Sequence, residues 1–547
     1  MIPTLAAHRS ACSPTASEAS TSGRQEGGSA GSRRTPRTKS SRGSTILGDS
    51  SSRGSDRRFP HATGREFAET RGRPLLASVA GLRAKRTAAA MAVALAMAAG
   101  CWRAAAPPSP GAADAARLER HAICVVGPLM AGQARDPLAR IRAAPADPTA
   151  WAEAGEGWLR EARLRGLHAD YHAALACAEA AAELASGDSR IGRLRAQALL
   201  GDHRFEEARA AAAALLATRP RDLVALAVLS DALLELGRFD EAANAGQRMM
   251  DLRPSLPSYL RASHLVWLQG DVQGALEAAR LALGAASPRD PEPFAWAVVH
   301  RATLLWHHGD LDGAEAGFRR ALELVGEYGP ALLGAGRVAL ARGDASGAAE
   351  ILARALQARP GVEAAWALGD AREAAGDARG AAEAWREAEK LGALDARTWA
   401  LFLATKGLHP EDALRFARAE RAVRADPYTE DVLAWALFRA GRIEEARAAA
   451  ERAIGLGTPD PRLLFHAGAI RVACGDAGGR ALVRRALELN PAFDPSGAAE
   501  ARRLLAGAPA PRGRVGRRRA TSPGGRGEEY AITTPMGGAR PLRVEPR

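Results

Sequence analysis

The chain has 547 residues, 25% of them charged, and a formal net charge of +13 at pH 7. The positive excess lies in the flanks: residues 1–101 have a net charge of +10 and residues 508–547 of +6, which leaves −3 for residues 102–507. Because a nucleic-acid-binding domain has a basic surface on its folded part, this distribution predicts that nucleic acid is not a partner.

Residues 1–78 are rich in Ser, Arg, Gly and Thr and have almost no apolar periodicity. Such a composition cannot form a core, so we expect a disordered basic segment. Two interpretations stay open: a basic targeting peptide, or a spurious extension upstream of the true translation start. We favour the second because of the segment that follows.

Residues 79–101 have the order of a secretory signal. Three basic residues within 83–86 precede an apolar stretch from 88 to 99, which is too short to span a bilayer. The sequence AAGC that ends at Cys101 resembles the lipobox of bacterial lipoproteins, with Ala98 where leucine is usual. The resemblance implies cleavage before Cys101, lipidation of its thiol, and a lipid anchor in a cell-envelope membrane facing the periplasm or exterior. An ordinary secretory signal and an organellar transit sequence are the alternatives.

Residues 102–150 are expected to link this signal to the folded body. Residues 102–118 are rich in Ala, Pro and Gly, which is typical of a tether. A weak helical pattern from 119 to 150 predicts a partial capping unit.

The five cysteines, at positions 12, 101, 124, 177 and 474, show no CxxC spacing and are odd in number. The pattern therefore predicts neither a zinc site nor a disulfide framework. Cys177 lies on a predicted helix and is interpreted as a small buried hydrophobe.

A repeat organises residues 151–507. The sequence GDLDGAEAGFRRAL at 309–322 returns 34 residues later as GDASGAAEILARAL. The first small residue of the second helix in each unit recurs at steps of 32–39 residues, at Ala174, Ala208, Ala242, Ala275, Ala314, Ala348, Ala381, Ala413, Ala446 and Gly479. Twelve residues before each stands another small residue, with Leu401 as the exception. Small residues let two helices approach closely, so this spacing predicts ten helical hairpins.

Two further features belong to the repeat region. The longest step, from Ala275 to Ala314, has its surplus in residues 284–294, which could bend or divide the array but which we interpret as a tolerated surface insertion. After Asp494, the sequence predicts a capping helix that covers the last apolar face. Residues 508–547 are Pro/Gly/Arg-rich and are expected to form a disordered basic tail.

The repeat resembles the tetratricopeptide repeat (TPR) family. Pro220, Pro254, Pro360 and Pro491 match the proline that closes a unit in that family, whereas aliphatic residues such as Leu199 replace its usual tyrosine. The resemblance implies an all-α fold, a right-handed α-solenoid of about ten hairpins with a concave surface for a partner.

No catalytic, cofactor or metal constellation is predicted. His168 and His172 are spaced i, i+4, which suits a metal on one helical face, but no third ligand accompanies them. We interpret both as surface or inter-helix histidines.

An aromatic cluster stands out in a chain with only 5% aromatic residues. In the TPR family the first helix of each hairpin lines the groove, and the candidate partner-binding residues lie on predicted first helices: Tyr259, His264, Trp267, Trp296, His300, Trp306 and His307. Aromatic anchors with polar tips suit peptide recognition. Inter-repeat packing is the alternative, and for tryptophan at helical spacing it is the commoner outcome.

We therefore predict a non-catalytic scaffold that binds a protein or peptide on its concave surface while tethered to a bacterial cell envelope. Two alternatives stay open: a partner-recruiting subunit of a separate enzyme, and an organellar TPR protein.

Overall fold

The computed structural model of the chain describes residues 111–126 and 135–507. The predictions for residues 1–78, 79–101 and 508–547, including the lipidation of Cys101, concern residues outside these ranges. The described residues belong to one compact unit of the chain.

The described residues fold into 24 α-helices and contain no strand. Helices α1 to α3 precede the repeats and span Ala112–Arg120, Ala122–Val126 and Arg135–Ala143. Ten hairpins follow: α4 (Pro148–Arg165) with α5 (His168–Leu184), α6 (Ser189–Gly201) with α7 (Phe205–Thr218), α8 (Leu223–Glu235) with α9 (Phe239–Leu252), α10 (Leu256–Leu268) with α11 (Val272–Gly284), α12 (Pro291–His307) with α13 (Leu311–Leu324), α14 (Gly329–Ala341) with α15 (Ala345–Ala358), α16 (Val362–Ala374) with α17 (Ala378–Leu391), α18 (Ala396–Lys406) with α19 (Pro410–Val423), α20 (Pro427–Arg439) with α21 (Ile443–Ile454), and α22 (Pro461–Ala473) with α23 (Gly479–Leu489). Helix α24 (Pro495–Leu505) ends the array. The all-α solenoid of about ten hairpins is confirmed.

In five of the ten hairpins the turn is encoded by the pair Gly-Asp. Gly309 has φ of +81°, a left-handed conformation that glycine adopts without a Cβ penalty. The side chain of Asp310 then accepts a hydrogen bond from the backbone N–H of Gly313 at 2.8 Å and caps α13. The copy at Gly343 and Asp344 repeats this geometry.

The small residues meet where the two helices of a hairpin cross. Ser230 Oγ donates to the carbonyl of Ala242 at 2.9 Å, and Ser263 Oγ donates to the carbonyl of Ala275 at 2.7 Å. A Cβ on Gly336 would lie 2.5 Å from Leu352 Cγ, so only glycine fits there. The twelve-residue spacing in the sequence therefore corresponds to a direct contact.

Leu401 breaks the small-residue rule, and its hairpin forms nevertheless. Leu401 is buried, and so is Ala417 on the partner helix α19. Ala417 stands where the three preceding hairpins have a large residue: Phe318, Leu352 and Trp385. The large and small positions have exchanged, which conserves the volume at the crossing.

The surplus in residues 284–294 extends a helix. Helix α12 has 17 residues, whereas α10 and α14 have 13 each. The array continues through this point within one compact unit.

The prediction that the cysteines form no disulfide was wrong. Cys124 on α2 and Cys177 on α5 form a disulfide, with their Cα atoms 5.4 Å apart. Spacing alone concealed it because the two residues are 53 positions apart and their contact depends on how the capping unit folds back. Trp158 Nε1 donates to the carbonyl of Cys124 at 3.1 Å in the same place. The helical region also begins earlier than position 119, since α1 starts at Ala112.

Hairpins far apart in sequence touch along a line that we call the seam. It consists of the ends of α8, α10 and α12 on one side and the loops around Ala425, Thr458 and Asn490 on the other. The backbone N–H of Ala425 donates to the Glu235 carbonyl at 2.7 Å. Thr458 Oγ1 donates to the Leu268 carbonyl at 2.8 Å, across 190 residues. Asn490 Nδ2 donates to the Trp306 carbonyl at 2.7 Å, across 184 residues.

Candidate partner-binding site

The first helices of hairpins five to ten surround a cavity of about 1010 Å³, which we call the lumen. Its wall includes residues of α12, α14, α16, α18, α20 and α22, and it is completed by α24 and by the turn at residues 166–168. The lumen is thus the concave side of the array.

Two large apolar side chains remain exposed inside the lumen. Trp296 on α12 is 47% exposed and Leu394, just before α18, is 50% exposed. Most other large apolar residues of the first helices are buried against neighbouring hairpins. An exposed indole in a concave wall is the kind of residue that contributes most to binding at protein interfaces.

The charged groups of the lumen are mostly paired with one another. Arg337 Nη2 donates to Glu363 Oε1 at 2.7 Å. His307 Nδ1 lies 3.3 Å from Asp460 Oδ2. Burial lowers the pKa of His307, while the carboxylate of Asp460 opposes that shift. The wall is therefore polar but close to electrically balanced.

Among the carboxylates of this wall, Asp370 has the most strongly raised pKa. Burial raises its pKa to about 6, although the ammonium of Lys406 at 2.7 Å opposes the change. Lys406 Nζ also lies 4.2 Å above the centre of the Trp385 ring. This group of three fixes the lysine in place and leaves it little freedom to bind a ligand.

A buried acid–histidine pair also borders the lumen. His466 Nδ1 and Asp431 Oδ1 are 2.9 Å apart, and the histidine ring stacks on Trp435 with centroids 4.0 Å apart. The sequence analysis missed this pair because the two residues stand 35 positions apart, on consecutive first helices. The one-repeat separation is the signal that could have shown it.

The seven candidate residues from the sequence do not all lie in one place. Trp296, Trp306 and His307 line the lumen. Trp306 is nonetheless only 8% exposed, and its carbonyl belongs to the seam. Trp267 is 2% exposed and its Nε1 donates to the hydroxyl of Tyr428 at 3.3 Å.

The other three candidates lie outside the lumen wall. His264 and His300 pack edge to face with ring centroids 6.3 Å apart. His300 Nε2 lies 2.8 Å from Ser263 Oγ, and burial lowers the pKa of His300 to about 3. Tyr259 is half-buried on α10. The structure therefore brings three of the seven residues to one cavity, and their role in partner binding stays a prediction.

A second, smaller cavity lies on the concave side of hairpins one to four. Its volume is about 650 Å³ and its wall is mostly apolar, with arginines 163, 253 and 261 at its border. Arg261 is already paired with Asp231 at 2.6 Å.

Neither metal chemistry nor a membrane span is evident in the part of the chain that the structure describes. No group of three His, Cys, Asp or Glu side chains in these residues could hold a metal ion. His168 and His172 lie instead beside Asp202, at 3.7 and 3.2 Å. None of the helices in residues 111–126 and 135–507 is long and apolar enough to cross a membrane.

The hairpins, their period and their shared concave wall define the class of α-solenoid scaffolds. Residues 193–257 and residues 305–371 each match the tetratricopeptide repeat family. Together with ten consecutive hairpins of this kind, these two matches support a protein of the tetratricopeptide repeat family. These repeats support a protein-interaction scaffold. No curated protein sequence matches the chain.

Several solved structures are similar to this one. A tetratricopeptide repeat protein from Parabacteroides merdae has 15% identity and a TM-score of 0.33, over 45% of this chain and 93% of that chain. The type IV pilus biogenesis factor PilW has 19% identity and a TM-score of 0.31, over 38% and 92%. The human IFIT1 dimer with PPP-AAAA has 13% identity and a TM-score of 0.38, over 69% and 94%. At these values the likenesses carry no argument about function.

Proposed function

We propose that the chain is a non-catalytic scaffold that holds a segment of a partner protein in the lumen. The observation that carries this proposal is Trp296, an indole that remains 47% exposed within a concave wall. A polypeptide suits this wall because it offers apolar side chains for Trp296 and Leu394 and backbone polar groups for the surrounding ion pairs.

Nucleic acid is a poorer match. Nucleic-acid sites present arginines and lysines that are free to neutralise phosphates. In the lumen wall, Arg337 is paired with Glu363, and Asp370 is paired with Lys406. We therefore propose a protein partner and no cofactor.

We also propose that the protein is exported and anchored by lipid at Cys101 in a bacterial cell envelope. The signal-like order of residues 79–101 supports this location. The disulfide between Cys124 and Cys177 supports it independently, because structural disulfides persist in oxidising compartments and are rare in the cytosol.

The binding proposal can be tested with a displayed library of random linear peptides, using the purified full chain as bait. We expect enriched peptides whose affinity falls at least about tenfold for Trp296→Ala, since truncating a central tryptophan typically costs more than 1.4 kcal/mol. His172→Ala, an exposed position outside the lumen, is the matched control and should bind like wild type. If no enriched peptide depends on Trp296, the proposal is wrong. Poly(A) RNA that competes at the lumen would favour nucleic acid instead.

The location can be tested by mass spectrometry of the native N-terminus. We expect a chain that begins at an acylated Cys101, and no such species for Cys101→Ser. A mature chain that retains unmodified Cys101 within a longer N-terminus would contradict lipid anchoring.

A further inference from the structure

The seam brings backbones into direct contact and leaves no gap for a side chain. A Cβ on Gly270 would lie 2.9 Å from the carbonyl oxygen of Gly457, and one on Gly309 would lie 2.2 Å from that of Leu489. Both glycines have positive φ, 90° and 81°. Loops that merely pass near each other would tolerate a methyl group at these points, whereas the seam does not.

Two polar side chains of the seam are buried and hydrogen-bonded. Asn490 is fully buried and Thr458 is 1% exposed, although both are polar residues in loops. Thr458 donates to the carbonyl of Leu268 and Asn490 to that of Trp306, each in the last turn of a first helix; the Trp306 carbonyl also accepts from the N–H of Gly309. Breaking the seam would therefore leave the buried Thr458 hydroxyl, the Asn490 amide and the Leu268 carbonyl without these partners.

A further contact lies where the turn of the first hairpin meets the sixth. A Cβ on Gly166 would lie 2.2 Å from Nε of Arg359, so the arginine packs directly over the glycine backbone. Gly166 and Arg359 also line the lumen. The side of the lumen is thus bounded by contacts between hairpins that are distant in sequence.

We infer that a partner reaches the lumen end-first, as a single extended polypeptide segment with a free terminus. This inference rests on the proposed function and adds the form of the partner. A lateral approach would require the seam to part, whereas an end-on approach leaves its contacts intact. A cavity of about 1010 Å³ is also of the size of a small-ligand or short-peptide site rather than of a folded domain. A looped segment would have to bring two strands side by side, about 4.8 Å apart.

The first experiment locks the seam. In the double variant Gly237→Cys and Ala425→Cys, the two Cβ atoms would lie about 3.0 Å apart, so a shift of a few tenths of an ångström permits a disulfide. The positive φ of residue 237 strains the oxidised and reduced forms alike, so each form controls for the other. Wild type treated with the same reductant controls for the native Cys124–Cys177 bond.

The probe is the linear peptide most enriched on the wild-type chain in a Trp296-dependent manner. We expect it to bind the oxidised and reduced forms with affinities within about threefold. Loss of binding in the oxidised form alone would show lateral access and overturn the inference. Failure of the disulfide to form in the folded protein would also overturn it, since the seam would then not be closed in solution.

The second experiment changes the peptide. A head-to-tail cyclised version of the same peptide is expected to bind wild type at least about tenfold more weakly than the linear one. The deficit should shrink for Thr458→Val, which weakens the seam by removing one of its hydrogen bonds, and persist for Ser230→Ala, which removes a hydrogen bond inside one hairpin. Equal binding of both peptides to wild type would contradict end-first insertion and leave the proposed function intact. Absence of any Trp296-dependent peptide would instead refute the proposed function.

Discussion

The lumen and the seam meet on helix α12, and tryptophans on this helix differ in exposure between the two regions. Helix α12 has one tryptophan in each: Trp296 is 47% exposed in the lumen, and Trp306 is 8% exposed where the helix reaches the seam. The carbonyl of Trp306 accepts a hydrogen bond from Asn490 Nδ2, whereas no hydrogen bond of the described residues involves the Trp296 side chain. One tryptophan is already packed and the other presents an unused surface.

This difference separates the residues that hold the array closed from those that are free to hold a partner. Seam residues gain their interactions on folding, so their loss should appear as lost stability. Lumen residues have much of their interaction surface still to be used, so their loss should appear as lost affinity. The two regions can therefore be told apart by measuring both quantities for each variant.

The largest expected effect on stability belongs to Trp306→Ala. Truncating a buried tryptophan leaves a cavity and costs about 3–5 kcal/mol in the free energy of unfolding. Urea unfolding followed by circular dichroism would measure it. Trp306→Phe should lose clearly less, because it retains most of the buried volume. A loss below about 1 kcal/mol for Trp306→Ala would mean that the Trp306 side chain does not pack as described.

Asn490 should give the next largest effect. Its Nδ2 donates to the Trp306 carbonyl and its Oδ1 accepts from the backbone N–H of Ala492. Asn490→Ala should destabilise the chain by about 1–3 kcal/mol, because the half-buried N–H of Ala492 loses its partner and the Trp306 carbonyl keeps only the N–H of Gly309. Asn490→Asp should be worse than Asn490→Ala, since it places a carboxylate against a carbonyl oxygen. Equal stability of Asn490→Ala and wild type would mean that the hydrogen bonds of Asn490 do not stabilise the seam.

Much of the fold could be predicted from sequence because its signals are local. The small residues at Ser263 and Ala275 predict the crossing of one hairpin, and Gly309 with Asp310 predicts its turn. Each of these contacts joins residues within one repeat unit. Ten such units could therefore be counted without any knowledge of how distant units meet.

The seam and the disulfide could not be predicted because they depend on accumulated geometry. The small rotation from each hairpin to the next decides whether Leu268 meets Thr458, 190 residues later. No local pattern encodes that sum. The same lack of local information explains why only some residues of the aromatic cluster line the lumen. Helical spacing places Trp267 and Trp296 on first helices, but only the seam decides which of them is buried.

Glu235 should make the seam sensitive to pH. Its carbonyl accepts the hydrogen bond from Ala425, and burial, with Asp426 as the next cause, raises the pKa of its side chain to about 7. The cations Arg397 and Arg424 oppose this shift, and Asp231 on the same helix adds to it.

The raised pKa of Glu235 determines how the stability of the protein changes with pH. The pKa of Glu235 in the folded protein lies above its ordinary value of 4.5, so the stabilisation is complete below that value and is lost as the pH rises through about 7. Wild type should lose on the order of 1 kcal/mol relative to Glu235→Gln between pH 5 and pH 8, after allowance for partial solvent exposure of the side chain. Unfolding midpoints at the two pH values would measure this. A wild type that gains stability relative to Glu235→Gln over that range would contradict the assignment.

Trp296→Ala should have the smallest effect on stability, and this makes it the sharpest test of the comparison. The side chain is 47% exposed, so its removal leaves little buried volume unfilled and should change the free energy of unfolding by less than about 0.5 kcal/mol. The same variant should lose at least about tenfold in affinity for the enriched linear peptide. Trp306→Ala provides the converse, with a large loss of stability; its peptide affinity, measured well below the unfolding transition, should fall less than that of Trp296→Ala. If Trp296→Ala instead unfolds the chain as readily as Trp306→Ala does, the exposed indole is structural, and the lumen has lost the residue on which the proposed binding depends.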